Sequence, residues 1–217
     1  CGRYANFLIW IFTRCWRGSV RGIFIDIETN GLDPDINSPL EICVSIYDLH
    51  TMMCITEYSS LIQCSPKCYL YDSDPKALLI NGITLDEVKD AKTSYDVCED
   101  LEECFLSYEI DKTNSVFICQ NPSFDRAFFN QIMPVDVQQE LELPYHWLDL
   151  ASMYWARTID VQKPVNGHNI IGLVSLSKDA IASYLGLPME NKPHRATNGV
   201  HHLIECYQAL MYNRSLN

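Results

Sequence analysis

The hydrophobic pattern of this chain changes its period near residue 94. Before that point, β-branched runs separated by short polar connections predict a three-stranded meander; after it, helical spacing alternates with short strands. Strands are predicted at 21–28, 41–48, 54–63, 115–119 and 146–150. Helices are predicted at 94–106 with Ser94 as N-cap, at 121–130, from 151, at 176–185 and at 196–211. The order predicts an α/β fold, a mixed five-stranded sheet with helices on both faces.

Charge is distributed unevenly along the chain. Residues 1–21 contain four arginines and no acidic residue, whereas the whole chain has 16 Lys and Arg against 28 Asp and Glu, a net charge of −12. We therefore predict a basic, aromatic N-terminal arm over residues 1–20 and one domain over residues 21–217. The arm either packs on the sheet or contacts nucleic acid. The acidic remainder disfavours a protein that coats long nucleic acid, but it allows a small nucleic-acid site that uses metal ions.

The ten cysteines do not form a disulfide pattern. They are scattered through the chain, mostly inside apolar runs, which predicts reduced thiols in a cytoplasmic protein. Cys64 and Cys68 are the closest pair, and no second pair at zinc spacing accompanies them, so structural zinc is not expected. No apolar run approaches the roughly 20 residues that span a bilayer, so no stable membrane insertion is expected.

Acidic side chains are predicted at strand ends and helix starts. Asp26 and Glu28 end the first strand and project to one face, because side chains alternate along a strand. Asp125 lies in the first turn of a helix, and His194 lies just before the last one. Each has an ordinary structural explanation alone: a solvated strand end, a helix-dipole contact or a surface histidine.

Taken in order, five motifs resemble the DEDDh family of 3′–5′ exonucleases, which includes polymerase proofreading exonucleases, oligoribonuclease and RNase T. The motifs are Phe-Ile-Asp26-Ile-Glu28-Thr-Asn-Gly-Leu, Asn81-Gly-Ile-Thr, Asn121-Pro-Ser-Phe-Asp125, Ser175-Leu-Ser-Lys-Asp-Ala-Ile-Ala-Ser-Tyr-Leu-Gly-Leu and His194-Arg-Ala. The resemblance implies a ribonuclease H-like fold, two Mg²⁺ or Mn²⁺ ions, and release of nucleoside monophosphates from a single-stranded 3′ end. A polymerase partner or self-association is compatible with it.

The resemblance also implies a role for each matched residue. Asp26 would bridge both metal ions, Glu28 would hold one of them, and Asp125 would support the other through water. His194 would accept the proton of the attacking water, since histidine can do so near neutral pH. The terminal nucleotide would contact Thr29, Asn30, Gly31, Leu32, Asn121 and Phe124, with Leu32 wedged against a base.

The last motif departs from the family pattern. A fourth carboxylate is expected five residues after the histidine, but Gly199 stands there. Asn198 and His202 are less favoured substitutes than simple loss of the ligand. The glycine weakens the helix, which predicts a later helix start, and Gly199→Asp is expected to raise cleavage. We expect a weakened exonuclease; the alternative is a catalytically silent relative that binds nucleic-acid ends or proteins.

Overall fold

Five strands form a single sheet in the computed structural model of the chain, which describes residues 19–158 and 175–212. The strands are β1 (Arg21–Thr29), β2 (Pro39–Asp48), β3 (Met53–Leu61), β4 (Ser115–Cys119) and β5 (Trp147–Asp149). The described helices are α1 (Pro66–Tyr71), α2 (Pro75–Asn81), α3 (Leu85–Val88), α4 (Ser94–Ser107), α5 (Pro122–Ile132), α6 (Val135–Glu140), α7 (Leu150–Thr158), α8 (Lys178–Tyr184) and α9 (Ala196–Tyr212). Residues 1–18 of the predicted arm lie outside the described part, so the arm stays a prediction.

The sheet has the strand order β3-β2-β1-β4-β5. The pairs β1–β2 and β2–β3 are antiparallel, whereas β1–β4 and β4–β5 are parallel. The central strand β1 is buried on both faces, as its fully buried neighbours Phe24 and Ile25 illustrate. The predicted meander and the mixed five-stranded sheet are therefore confirmed.

Helices cover both faces of this sheet. On one face, α4 and α5 bury Phe105, Phe128 and Phe129 around Phe117 of β4. On the other, α7, α8 and α9 pack their apolar residues against Phe24. The predicted layering is confirmed. None of the helices within residues 19–158 and 175–212 combines the length and apolar character needed to cross a membrane, and every cysteine in those ranges is a free thiol.

Several helix boundaries differ by a few residues from the sequence prediction, and the expected late start of the last helix is wrong. The N-cap of α4 is Thr93, not Ser94, because Thr93 and Asp96 form a reciprocal capping box. Ser177 caps α8, which shortens that helix to Lys178–Tyr184. The last helix does not begin late: α9 starts at Ala196 and includes Gly199. A tertiary contact outweighs the glycine there, since Glu41 of β2 accepts a hydrogen bond from the Ala196 amide.

Four short helices, α1, α2, α3 and α6, were not predicted. They contain four to seven residues each, too few to show a helical period. The helix α2 ends at Gly82, whose φ of 65° is left-handed, and this places Asn81 under the end of β1. The Asn81 side chain donates to the Thr29 carbonyl at 2.9 Å and accepts from the Ile83 amide at 3.0 Å. The Asn81-Gly motif therefore ties α2 to the strand that carries the acidic pair.

We predict that Glu41→Ala lowers the free energy of unfolding by about 2–3 kcal/mol. The buried Glu41 carboxylate bonds the Arg195 guanidinium at 2.8 Å and the first amide of α9. Removing one partner of a fully buried ion pair lowers the free energy of unfolding by roughly 3–5 kcal/mol. The expected loss is smaller here because 31% of the Arg195 side chain is exposed. Urea unfolding would measure the loss. Glu142→Ala, which breaks an exposed pair with Lys112, is the control and should cost less than about 1 kcal/mol; equal losses would contradict the prediction.

Candidate active site

An open cleft of about 420 Å³ lies at the carboxyl ends of the parallel strands β1 and β4. Open α/β sheets commonly place their sites at this edge. Asp26, Glu28, Asp125 and His194 all line the cleft. Its other lining residues are Ile27, Leu32, Gln120, Asn121, Phe124, Ser177, Lys178, Asp179 and Glu190. The structure thus brings together the four residues predicted to carry the chemistry.

Asp26 and Glu28 form the floor of the cleft from alternate positions of β1. Burial raises the pKa of the Asp26 carboxyl above its usual value. Burial, and then the charge of Asp26, raise the pKa of Glu28 to about 8. Both shifts show that burial makes negative charge unfavourable at this end of β1.

Asp125 faces this pair from the first turn of α5. It is buried, with 5% of its surface exposed, and its amide donates to the Asn121 carbonyl at 3.1 Å. Burial, and then the charge of Asp26, raise the pKa of Asp125 to about 8. A helix-dipole contact explains its place in the first turn, but not its burial beside another carboxylate. Asp125 is therefore better described as a residue of the cleft than as a residue that only stabilises the start of α5.

Sequence reasoning missed Lys178, the first residue of α8. Its ammonium Nζ lies 3.1 Å from Asp26 Oδ1 and 2.9 Å from Glu190 Oε2, and donates to the Gly199 carbonyl at 3.3 Å. Burial alone would lower the Lys178 pKa, but Asp26 and Glu190 raise it above its usual value, so the side chain is a cation. Lys178 lies inside one of the five family motifs, but a lysine beside a helix N-cap is typical of a solvated helix start, so no role was predicted for it.

Sequence reasoning also missed Glu190, in the segment between α8 and α9. Its amide donates to Asp179 Oδ1 at 3.0 Å, and its side chain is 2% exposed. Burial would raise the Glu190 pKa, but the neighbouring His202 and Lys178 side chains lower it to about 2. Glu190 is therefore an anion and supplies a fourth carboxylate to the cleft, from before His194 rather than after it.

His194 is held at the cleft by two contacts. Its amide donates to the Ile80 carbonyl of α2 at 3.0 Å, and its ring Nδ1 lies 3.3 Å from Glu190 Oε1. One ligand atom each of Glu28, Glu190 and His194 lies within 4.8 Å of the others. Glu190 Oε1 is buried and accepts no hydrogen bond from the described residues. The two carboxylates of this set, one of them with such an acceptor, fit a hard divalent cation beside the His194 ring.

Position 199 is packed against Asp26. A Cβ added to Gly199 would lie far closer to Asp26 Oδ2 than van der Waals contact allows. The expectation that Gly199→Asp alone raises cleavage is therefore revised, since the new side chain must displace the Asp26 carboxylate. The proposed substitutes do not line the cleft either. Asn198 and His202 line a separate depression, and His202 Nε2 lies 3.0 Å from the Pro188 carbonyl.

The residues predicted to hold the nucleotide fall into two groups. Leu32, Asn121 and Phe124 line the cleft, and Leu32 is 76% exposed. Thr29, the last residue of β1, and Asn30 and Gly31 in the turn that follows are buried and do not line the cleft. Thr29 Oγ1 donates to the Gly31 carbonyl at 2.6 Å, and Asn30 Nδ2 donates to Ser73 Oγ at 3.1 Å. These three shape the turn, and their contact with a nucleotide stays a prediction.

Comparison with known proteins assigns the family. A family model described as exonuclease, of the RNase T type, matches residues 23–207. The chain belongs to this exonuclease family. Among curated proteins, no match to the sequence of this exonuclease domain was found.

Solved structures of exonuclease I share the fold of this exonuclease domain. The zinc-bound complex of E. coli exonuclease I with single-stranded DNA is 17% identical, with a TM-score of 0.68 over 91% of this chain and 41% of that one. The E. coli enzyme with a dT13 oligonucleotide is 18% identical, with a TM-score of 0.68 over 90% of this chain and 42% of that one. Apo exonuclease I is also 18% identical, with a TM-score of 0.67 over 91% of this chain and 44% of that one. The exonuclease domain spans about two fifths of their length. The likeness confirms the predicted ribonuclease H-like fold.

We predict that the metal-free exonuclease domain loses stability as the pH rises from about 4 to 8. Glu28 and Asp125 have pKa values of about 8 in the folded state, whereas unfolded carboxyls titrate near pH 4. The folded state therefore binds more protons in this window, and its advantage is lost as pH passes the folded pKa values. Each 1 kcal/mol lost lowers the melting temperature by roughly 2–4 °C in a domain of this size.

Thermal melts in a chelator at pH 5 and pH 8 would measure this loss, which Mn²⁺ should reduce. Glu28→Gln should flatten the pH dependence, because it removes one of the two titrating groups. A stability that rises from pH 5 to pH 8 without metal would contradict the prediction.

Proposed function

We propose that this chain is a divalent-metal-dependent 3′–5′ exonuclease that releases nucleoside monophosphates from the single-stranded 3′ end of a nucleic acid. The observation that carries the proposal is the convergence of Asp26, Glu28, Asp125 and His194 in one open cleft of an exonuclease-family chain. The structures of exonuclease I bound to single-stranded DNA support this substrate class.

The carboxylates of the cleft would hold the cation. Asp26, Glu28 and Asp125 present oxygen ligands there, and Glu190 adds another. When bound, the cation supplies positive charge that stabilises the anionic phosphodiester during hydrolysis. A bound cation would also lower the raised pKa values of Glu28 and Asp125, because it stabilises the charged form of each carboxyl.

His194 would accept the proton of the attacking water. His194 Nδ1 lies 3.3 Å from the Glu190 carboxylate, and the negative charge of that carboxylate favours a proton on Nδ1 over one on Nε2. That tautomer leaves Nε2 as a proton acceptor. General-base catalysis of this kind contributes roughly 10²–10⁴-fold to a rate.

Apolar side chains beside the acids would hold the terminal nucleotide. Leu32 offers an exposed apolar surface, and Phe124 offers an aromatic ring, on the walls of the cleft. Aromatic rings stack on bases with little sequence preference. The cleft volume of about 420 Å³ falls in the range of sites for one small ligand, which suits removal of one nucleotide at a time.

The catalytically silent alternative has one observation in its favour. Asp26 is already paired with Lys178, and position 199 carries no acid. A chain in which that ion pair blocks every cation would bind a nucleic-acid end without cleaving it.

Digestion of short DNA and RNA oligonucleotides distinguishes the two functions. With Mg²⁺ or Mn²⁺, 5′-labelled strands should shorten stepwise, 3′-labelled strands should release labelled mononucleotide at once, and a chelator should stop both. Binding of the labelled strands without any shortening, with either ion, would favour the silent alternative.

A further inference from the structure

Lys178 occupies a position in the cleft that is built for a cation. An ammonium group has three hydrogen-bond donors, and three acceptors surround this one: Asp26 Oδ1 at 3.1 Å, Glu190 Oε2 at 2.9 Å and the Gly199 carbonyl at 3.3 Å. Only 12% of the side chain is exposed. The charge is therefore fixed among oxygen atoms from β1, α9 and the segment between α8 and α9.

Lys178 contacts two positions at which the family resemblance implies metal ligands. By the resemblance, Asp26 bridges both ions and the acid expected at position 199 is a ligand, so the two would share a cation. Here Lys178 bonds Asp26 and the backbone of Gly199 directly. The absence of a side chain at Gly199 is necessary for this packing, since a Cβ there would overlap Asp26 Oδ2.

Two divalent ions therefore do not fit the cleft as it is built. An ion at the position shared by Asp26 and residue 199 would lie next to the Lys178 ammonium and be repelled by it. Acceptors for one ion remain in the cleft. Glu28 lines it, and Glu190 Oε1, the carboxylate oxygen that does not pair with Lys178, is buried without a hydrogen bond from the described residues.

We propose that Lys178 takes the place of one of the two divalent ions, so that this exonuclease cleft binds a single divalent ion. The inference rests on the proposed function, because it states which positive groups an exonuclease site presents to its substrate. The ammonium is a permanent part of the chain and neutralises Asp26 without binding metal. Glu190 then provides the carboxylate that position 199 lacks, and it contacts both Lys178 and the part of the cleft that remains for the ion.

Counting bound Mn²⁺ ions tests this proposal without reference to activity. Titration calorimetry of the full chain, without nucleic acid, should give one ion per chain. Electron paramagnetic resonance should show isolated Mn²⁺, since only two ions about 3.5–4 Å apart give a coupled spectrum. The double variant Lys178→Ala/Gly199→Asp removes the ammonium, so the Asp26 carboxylate can move away from the new side chain. This variant should bind two ions and give the coupled spectrum.

Single variants separate charge from packing. Lys178→Met keeps most of the side-chain volume without the charge and should allow a second, weaker binding event. Lys67→Met, at an exposed lysine of α1, is the matched control and should still bind one ion. Circular dichroism would verify that each variant is folded, and the count for the unaltered chain decides the question even if a variant is not.

The outcomes for this inference and for the proposed function are distinct. Two coupled Mn²⁺ ions in the unaltered chain would overturn the role of Lys178, and so would a folded double variant that still binds one ion. One ion without any cleavage would support Lys178 as a cation and reject the exonuclease activity. Cleavage by a chain that binds two ions would support the exonuclease activity and reject the role of Lys178 as a cation in place of metal.

Discussion

Replacing Glu28 by Gln is expected to lower metal-dependent cleavage by roughly 10²–10³-fold, the loss typical of removing one group that stabilises transition-state charge. Glu28 is a carboxylate of the cleft that makes no ion pair with Lys178 among the described contacts, and its pKa of about 8 reflects burial next to Asp26. The amide keeps the shape of the side chain but carries no negative charge. The variant should therefore bind the cation poorly while folding at least as stably as the unaltered chain, because like-charge repulsion with Asp26 is gone.

Timed digestion of a 5′-labelled oligonucleotide in Mg²⁺, together with thermal melts, would measure both effects. Asp136→Asn is the matched control, because it removes an exposed acid from the start of α6, outside the cleft. Cleavage by Glu28→Gln at the rate of this control would remove Glu28 from the proposed site. A loss of cleavage that tracks a loss of folded protein would show a structural role instead.

Replacing His194 by Ala is expected to lower cleavage by roughly 10²–10⁴-fold, the usual contribution of a general base. The ring lies at the cleft with Nδ1 beside Glu190 Oε1, so Nε2 is the nitrogen left to accept a proton. Without the ring, the attacking water must be deprotonated by solvent. Mn²⁺ binding should change far less than the rate.

Cleavage rates and Mn²⁺ affinities of His194→Ala and His201→Ala would decide this. His201 lies on the exposed side of α9, where it pairs with Glu57 at 2.8 Å, and serves as the control. A variant at His194 that cleaves at the rate of the His201 variant would refute the role of His194 as the base.

The central strand and the acidic pair were predictable from sequence because their signals are local. A β-branched run has one favoured conformation, and the alternation of side chains along it places Asp26 and Glu28 on one face. Asp125 and His194 were found because they stand at the start of predicted helices in a recognisable order. The helix boundaries were less predictable, since the capping box of Thr93 and Asp96, and the Glu41 contact at the start of α9, compete with intrinsic propensity.

By itself, the sequence determined the layered α/β fold, the exonuclease family resemblance and seven residues of the cleft, all of which depend on short-range patterns. Only the tertiary structure decided what compensates the charge of the acidic ones. Lys178 has the sequence pattern of a solvated helix start, and Glu190 lies in a segment without a distinctive pattern. The Lys178 ammonium meets Asp26 across 152 residues of chain, and Glu190 pairs with that ammonium. The space that a glycine leaves at position 199 is likewise a property of the packing of α9 on β1. Contacts over such separations come from how the layers pack, because no local preference of the backbone specifies them.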